Sequence, residues 1–202
     1  MRNEQRLPSV QFALIMPMKR LTDIVLSLFA LVITAPVWVA IAIWIKLDSV
    51  GPMIFRQKRV GKNGELFEIY KFRTMRVGTP DLATDKMQNL PSPITKSGAI
   101  LRRLSLDEIP QLVNVIKGEM SLVGPRPALY NQTELTALRE AAGVLVFPPG
   151  ITGWAQVNGR DELADEVKVN FDKWYCDNWN YFLDWRIMFM TVAAVIGGRG
   201  NK

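Results

Sequence analysis

The chain contains no histidine and a single cysteine, Cys176, among 202 residues. Without histidine the Ser-His-Asp triad in its usual form is excluded, and any acid, base or nucleophile must be a carboxylate, lysine, hydroxyl, tyrosine or that one thiol. One cysteine closes no internal disulfide, and no CxxC pair or Cys/His cluster is present to hold zinc. Nucleic acid is not an expected partner, because the basic residues are spread over several segments and no RRM, KH or helix-turn-helix pattern accompanies them. What the chain has in quantity is apolar surface and positive charge: 49% of residues are apolar, six are Trp and nine Met, and the formal charge is +6. That balance points to anionic partners such as lipid headgroups or nucleotides.

From Ile24 to Ile45 (IVLSLFALVITAPVWVAIAIWI) no charged residue interrupts the sequence. The run gives about 30 Å of helix, enough to cross a bilayer, and is longer than the apolar core of a cleavable signal peptide. Arg2, Arg6, Lys19 and Arg20 precede it, and Lys46, Arg56, Lys58, Arg59 and Lys62 follow it. Positive charge resists translocation, so both ends favour the cytoplasm. A helix that enters the bilayer, breaks at Pro36 and returns satisfies both flanks, with Thr34 placed to serve the groups that proline frees. A single-pass helix with a tolerated kink is the alternative.

Residues Pro52 to Met75 contain two β-prone runs around Lys62-Asn63-Gly64, and Asn-Gly predicts a hairpin turn. Arg76 to Pro93 is polar and rich in turn residues, and reads as a loop. A short helix is predicted over Ser97–Arg103, a second over Leu106–Lys117 with a stop at Gly118, and a polar helix over Gln132–Ala142. In Gly124-Pro125-Arg126-Pro127 the two prolines stiffen the backbone on either side of Arg126, which suits a planar fork aimed at phosphate and equally suits a rigid connection. The C-terminal third holds a WYCDNWNYF cluster followed by Trp185 and the apolar run IMFMTVAAVI, which is too short to span a membrane. Aromatic residues mixed with charge suit helices at a bilayer interface, and core packing is the competing account.

The stretch Arg102 to Pro110, RRLSLDEIP, places two carboxylates side by side. Ser105-Leu106-Asp107-Glu108 matches a capping box, which explains both acids structurally. A frame with Asp107 as N-cap accommodates Pro110 better. Either frame puts Asp107 at a helix N-terminus, where an anion is stabilised and a phosphate attracted. A carboxylate there can attack phosphorus, and the adjacent Glu108 can hold Mg²⁺, which takes one or two carboxylates plus phosphate oxygens and water.

The runs YKFRTM (Tyr70–Met75), ILRRLSLDEIPQLVNVIKGEMSLVGPRP (Ile100–Pro127) and PGITGWAQVNGR (Pro149–Arg160) resemble the bacterial sugar transferases, the monotopic polyprenol-phosphate phosphoglycosyl transferases, in their small form. The resemblance covers about Lys19 to Ile196. It implies an α/β fold, mainly α with a β-hairpin, divided into an N-terminal extension (1–18), a re-entrant membrane helix broken at Pro36 (19–47) and a cytosolic catalytic domain with interfacial C-terminal helices (48–202). It implies transfer of a sugar 1-phosphate from a UDP-sugar, first of the N-acetylhexosamine type, to undecaprenyl phosphate, with release of UMP, at the cytoplasmic face of a bacterial inner membrane.

By the same resemblance Asp107 is the nucleophile that forms a covalent phospho-sugar intermediate, and Glu108 assists it and binds Mg²⁺. Arg102 matches the position that contacts the polyprenol phosphate. Lys71, Arg73, Arg126 and Arg160 match basic positions for the nucleotide sugar and its phosphates, and Asp172 and Asp184 match recurrent acids without a role. Pro148 stands where the family often has a basic residue. Implied partners are the UDP-sugar, undecaprenyl phosphate with membrane lipids, downstream glycosyltransferases of the same pathway and, as an option, a second copy of the chain.

Overall fold

The computed structural model describes residues 10–79, 92–159 and 163–197. Helix α1 (Val10–Asp48) is 39 residues long and contains both Pro17 and Pro36. From Met16 onward it is long and apolar enough to cross a membrane. The expected break at Pro36 is not present as an interruption of helix. Proline removes one donor, but the bonds of the neighbouring turns carry the helix through it, as is tolerated in apolar segments. Thr34 does not take up the role expected of it either: its hydroxyl donates to the Ala30 carbonyl at 2.6 Å, one turn back, rather than to a group freed by the proline.

Both flanks of the apolar run are tied to the same folded body. On one side Lys19 donates to the Val123 carbonyl (3.1 Å) and to Asp184 (2.6 Å), and Arg20 donates to the carbonyls of Val115 and Ile116. Asp23 accepts from the Ser121 hydroxyl (2.7 Å) and the Leu122 amide (3.3 Å). On the other side Ile41 and Ile45 pack with Phe72 and Leu101. There Asp48 accepts from the amide (2.9 Å) and the hydroxyl (2.7 Å) of Ser97.

The hairpin forms as expected, with β1 (Ile54–Val60) antiparallel to β2 (Leu66–Phe72) in register from Ile54 opposite Phe72 to Val60 opposite Leu66. Its turn needs left-handed backbone at Asn63 (φ 55°) and Gly64 (φ 81°), which these two residue types tolerate best. Helix α2 (Lys96–Arg103) starts at Thr95, whose hydroxyl accepts from the Gly98 amide. A side chain at Gly98 would meet the Thr74 carbonyl at 2.1 Å, so glycine lets α2 lie directly on the strand that leaves β2.

The predicted second helix is two pieces: a 3-10 turn over Leu106–Glu108 and helix α3 (Gln111–Lys117), which ends at Gly118 in the left-handed conformation. Neither capping frame is realised. Ser105 itself adopts left-handed backbone (φ 55°) and makes no cap bond, Asp107 sits inside the 3-10 turn, and Pro110 occupies the position before the first helical residue. Proline is suited there by its fixed φ and loses no helical bond.

A second sheet was not foreseen: β3 (Ser121–Val123) pairs in parallel with β4 (Gly150–Thr152). Helices α4 (Thr133–Ala141), α5 (Trp154–Asn158), α6 (Asp165–Asn178) and α7 (Tyr181–Ile196) complete the chain. The apolar and aromatic residues of the C-terminal helices divide between core and surface. Tyr175, Leu183 and Ile187 join Val123 and Phe147 in the core, whereas Phe182, Phe189 and Ile196, seven residues apart on α7, are exposed. The result is a mainly helical α/β protein with two small sheets and one long apolar N-terminal helix.

Candidate active site

The site is built on β2, the 3-10 turn and the segment after β3. Side chains alternate along a strand, so Lys71 shares a face with Ile69, which packs on Val115 of α3 and on Met120. The amide side chain of Asn114 completes the edge of β2 as a strand would: Nδ2 donates to the Glu68 carbonyl (2.7 Å) and Oδ1 accepts from the Tyr70 amide (3.0 Å). This docks α3 against β2 and sets Lys71 beside the 3-10 turn.

There Lys71 Nζ lies 2.8 Å from Glu108 Oε1, and Arg126 Nη1 lies 3.2 Å from the same oxygen. Burial alone would push the Glu108 carboxyl up, but Lys71 and then Arg126 outweigh it and hold the group at about 2. Its neighbour Asp107 is 5% exposed, and its Oδ1 has no hydrogen-bond partner among the described residues. Desolvation pushes the Asp107 carboxyl up, as does the charge of Glu108, while Lys71, Arg102 and Arg126 pull it back. Arg102 reaches the group from α2 and donates from Nε to the Thr74 hydroxyl at 3.0 Å. Five expected residues are therefore brought together: Asp107, Glu108, Lys71, Arg102 and Arg126.

Arg73, expected among the phosphate ligands, is not with them. Its guanidinium is 4% exposed and donates to the carbonyls of Val50 (2.8 Å) and Ser49 (2.7 Å) and to the Ser49 hydroxyl (2.9 Å). Arg73 has the same parity as Lys71 but lies one residue past β2, where the strand has ended, and its guanidinium is committed to the exit of α1. Arg160 lies outside the described residues. Asp184 acquires a structural role, accepting from Lys19, from the Tyr175 hydroxyl (2.7 Å) and from Trp179 Nε1 (3.3 Å). Asp172 pairs with Arg139, a residue that the sequence reading passed over. Gln111 was also missed: it is buried, and its Nε2 has no partner among the described residues.

No cluster of three or more acidic, His or Cys side chains that could chelate a metal occurs among the described residues. The donor set nevertheless fits Mg²⁺. That ion is satisfied by one or two carboxylates with substrate phosphates and water, and both cation contacts of Glu108 fall on Oε1 rather than Oε2. Asp107 Oδ1, buried and without a partner among the described residues, is a further acceptor on the adjacent residue.

A buried carboxylate next to an acid clamped by two cations, in a body fastened to a long apolar helix, is an arrangement able to receive anionic groups. Residues 14–198 match the family described as bacterial sugar transferase, and the chain belongs to that family. It is 42% identical over 187 residues to the sugar transferase EpsL of Bacillus subtilis (strain 168), covering 92% of this chain and 90% of that one. It is 44% identical over 185 residues to the UDP-glucose:undecaprenyl-phosphate glucose-1-phosphate transferase of Escherichia coli (strain K12), covering 87% of this chain but 39% of the relative. It is 38% identical over 202 residues to the UDP-N-acetylgalactosamine-undecaprenyl-phosphate N-acetylgalactosaminephosphotransferase of Aeromonas hydrophila, covering 97% and 47%. The chain thus spans less than half the length of the last two relatives.

Proposed function

We propose that the protein transfers a sugar 1-phosphate from a UDP-sugar to undecaprenyl phosphate and releases UMP. The observation that carries this reading is Asp107, a buried carboxylate with one oxygen unpartnered among the described residues, set among Lys71, Arg102 and Arg126. A side chain used only as a structural cap would have its acceptor satisfied. The names of two similar proteins, which specify sugar phosphate transfer to undecaprenyl phosphate, support the same class of reaction.

In the first step an Asp107 oxygen attacks the phosphorus that carries the sugar. The bond from that phosphorus to the bridging oxygen breaks, the electron pair leaves with UMP, and the sugar phosphate stays on Asp107. In the second step an oxygen of undecaprenyl phosphate attacks the same phosphorus, and the Asp107 carboxylate is released. The polyprenol product then carries a diphosphate bridge to the sugar. Both substrates are anions, so an anionic nucleophile can approach only where cations offset the charge. Lys71 and Arg126, anchored on Glu108, supply this from the hairpin and the GPRP segment, and Arg102 supplies it from α2 as the contact for the lipid phosphate. Mg²⁺ held at Glu108 would neutralise the charge that develops on the phosphate of the departing UMP. No water need be activated for either displacement, which suits a chain without histidine.

The protein acts from the cytoplasmic face of the bacterial inner membrane, with α1 entering and leaving the same leaflet by a bend at Pro36 that leaves the helix uninterrupted. Support comes from the attachments of α1: residues 19–23 and 41–48 bind one folded body, whereas a spanning helix would hold them on opposite sides of about 30 Å of hydrocarbon. The exposed Phe182, Phe189 and Ile196 face supports α7 as an interfacial helix at headgroup depth. UDP-N-acetylhexosamines are the first donors to test, followed by UDP-glucose and UDP-galactose, since the similar proteins are named for different sugars. The product feeds downstream glycosyltransferases that extend a surface glycan. A UMP-release screen across these donors, with undecaprenyl phosphate as acceptor, tests the proposal: acceptor-dependent UMP from one donor supports it, and no UMP from any contradicts it.

A further inference from the structure

Between Pro125 and Ala128 four consecutive carbonyls each accept a hydrogen bond, from β4, from α4 and from two adjacent residues of β1. The Gly150 amide donates to Pro125 (2.9 Å), Arg139 Nη1 to Arg126 (2.7 Å), Arg59 Nη1 to Pro127 (3.1 Å) and the Val60 amide to Ala128 (2.9 Å). Two of these four residues are prolines without an amide hydrogen, so the segment is held almost wholly through its acceptors. The contact under Arg126 differs from the others because its donor is a buried charge. Arg139 on α4 is 4% exposed, and its Nε and Nη2 both donate to Asp172 Oδ2 on α6 at 3.0 and 2.6 Å, with Asp172 1% exposed. The planar fork is thus locked by Asp172 on one edge and delivers its remaining nitrogen to the backbone of Arg126. The other end of Arg126 carries the guanidinium that meets Glu108.

We propose that Arg139 and Asp172 are positioning residues for Arg126, fixing where its guanidinium stands relative to Glu108 and to the sugar-linked phosphate. Neither residue touches the reacting atoms; both act through the backbone of Arg126. A buried ion pair is weak evidence for stability by itself, and hydrophobic packing would serve α4 and α6 as well. What packing cannot supply is a rigid donor aimed at one carbonyl, which only the guanidinium fork provides. The inference rests on the proposed transfer reaction, since Arg126 acts there on the phosphate.

The test is a double-mutant cycle read by UMP release with undecaprenyl phosphate, on purified full-length wild type, Asp172→Asn, Arg126→Gln and the double variant, with Tm measured for each. Asp172→Asn is expected to lower kcat/KM on the order of 10- to 100-fold in the wild-type background, the scale of a misplaced catalytic group. In the Arg126→Gln background it is expected to change the rate by about twofold or less, although Tm falls in both backgrounds. Arg139→Lys supplies the second arm: it keeps a charge for Asp172 but lacks the fork, so it is expected to stay folded and still lose activity. Equal loss from Asp172→Asn in both backgrounds, or wild-type rates from folded Arg139→Lys, would overturn the inference. Wild type that releases no UMP would overturn the transfer reading instead.

Discussion

Replacing Lys71 by Met removes the first of the two cations on Glu108 while leaving Arg126 in place. A carboxyl held at about 2 instead of its ordinary 4.5 reports about 3 kcal/mol of favourable interaction with its ionised form. Lys71 is the larger contributor and sits 2.8 Å away, so its loss is expected to cost about 2 kcal/mol at neutral pH. For a chain of this size that lowers Tm by about 4 to 8 °C. The folded-state pKa lies below the unfolded one, so this stabilisation is complete above about pH 4.5 and disappears as pH falls through about 2. The gap in Tm between wild type and Lys71→Met should therefore be full at neutral pH and close in that acid window. Thermal unfolding in detergent, followed by circular dichroism across pH, measures it. A gap of less than about 1 °C at neutral pH, or one that persists unchanged to about pH 2, would refute the electrostatic account of the clamp.

Asp107 must be ionised to attack, and burial raises its carboxyl, so the acid limb of the pH–rate profile for UMP release should lie above the ordinary carboxylate range near 3.8. A rate that stays flat down to that value would argue against Asp107 as the attacking group. Arg73→Gln is expected to lower Tm by several degrees through loss of its bonds to Ser49 and Val50, with the KM for UDP-sugar unchanged; unchanged Tm with a raised KM would restore it as a substrate ligand. In a Cys176→Ser background, Met18→Cys and Val50→Cys, both at exposed positions, should be protected from a membrane-impermeant thiol reagent applied to intact cells and react after the inner membrane is opened. Labelling of Met18→Cys from outside would favour a spanning helix.

The features legible in the sequence were those with local causes. Asn63-Gly64 announces the hairpin because few other pairs take left-handed backbone at adjacent positions. Gly118 ends α3 for the same reason. The Asp107-Glu108 pair could be found as chemistry, but its local geometry could not, since nothing in RRLSLDEIP distinguishes a capping serine from one in left-handed backbone. β3 and β4 are three residues each and pair across an intervening helix, too short for any periodicity to register. Arg139 looks like an ordinary solvent-facing residue of a polar helix until α6 brings Asp172 against it. Arg73 is the reverse case: a basic residue of YKFRTM that the resemblance puts with the phosphate ligands, yet whose guanidinium meets the carbonyls at the end of α1.

The central claim is that Asp107 becomes covalently bonded to the sugar phosphate. The direct measurement is to incubate the purified protein with UDP-sugar labelled in the sugar, without acceptor, and to quantify UMP and protein-bound label together. The account predicts one UMP released for each label retained, with the label on the peptide containing Asp107, absent from Asp107→Asn and discharged by undecaprenyl phosphate. UMP release that occurs only with acceptor present, with no label on the protein, would contradict it.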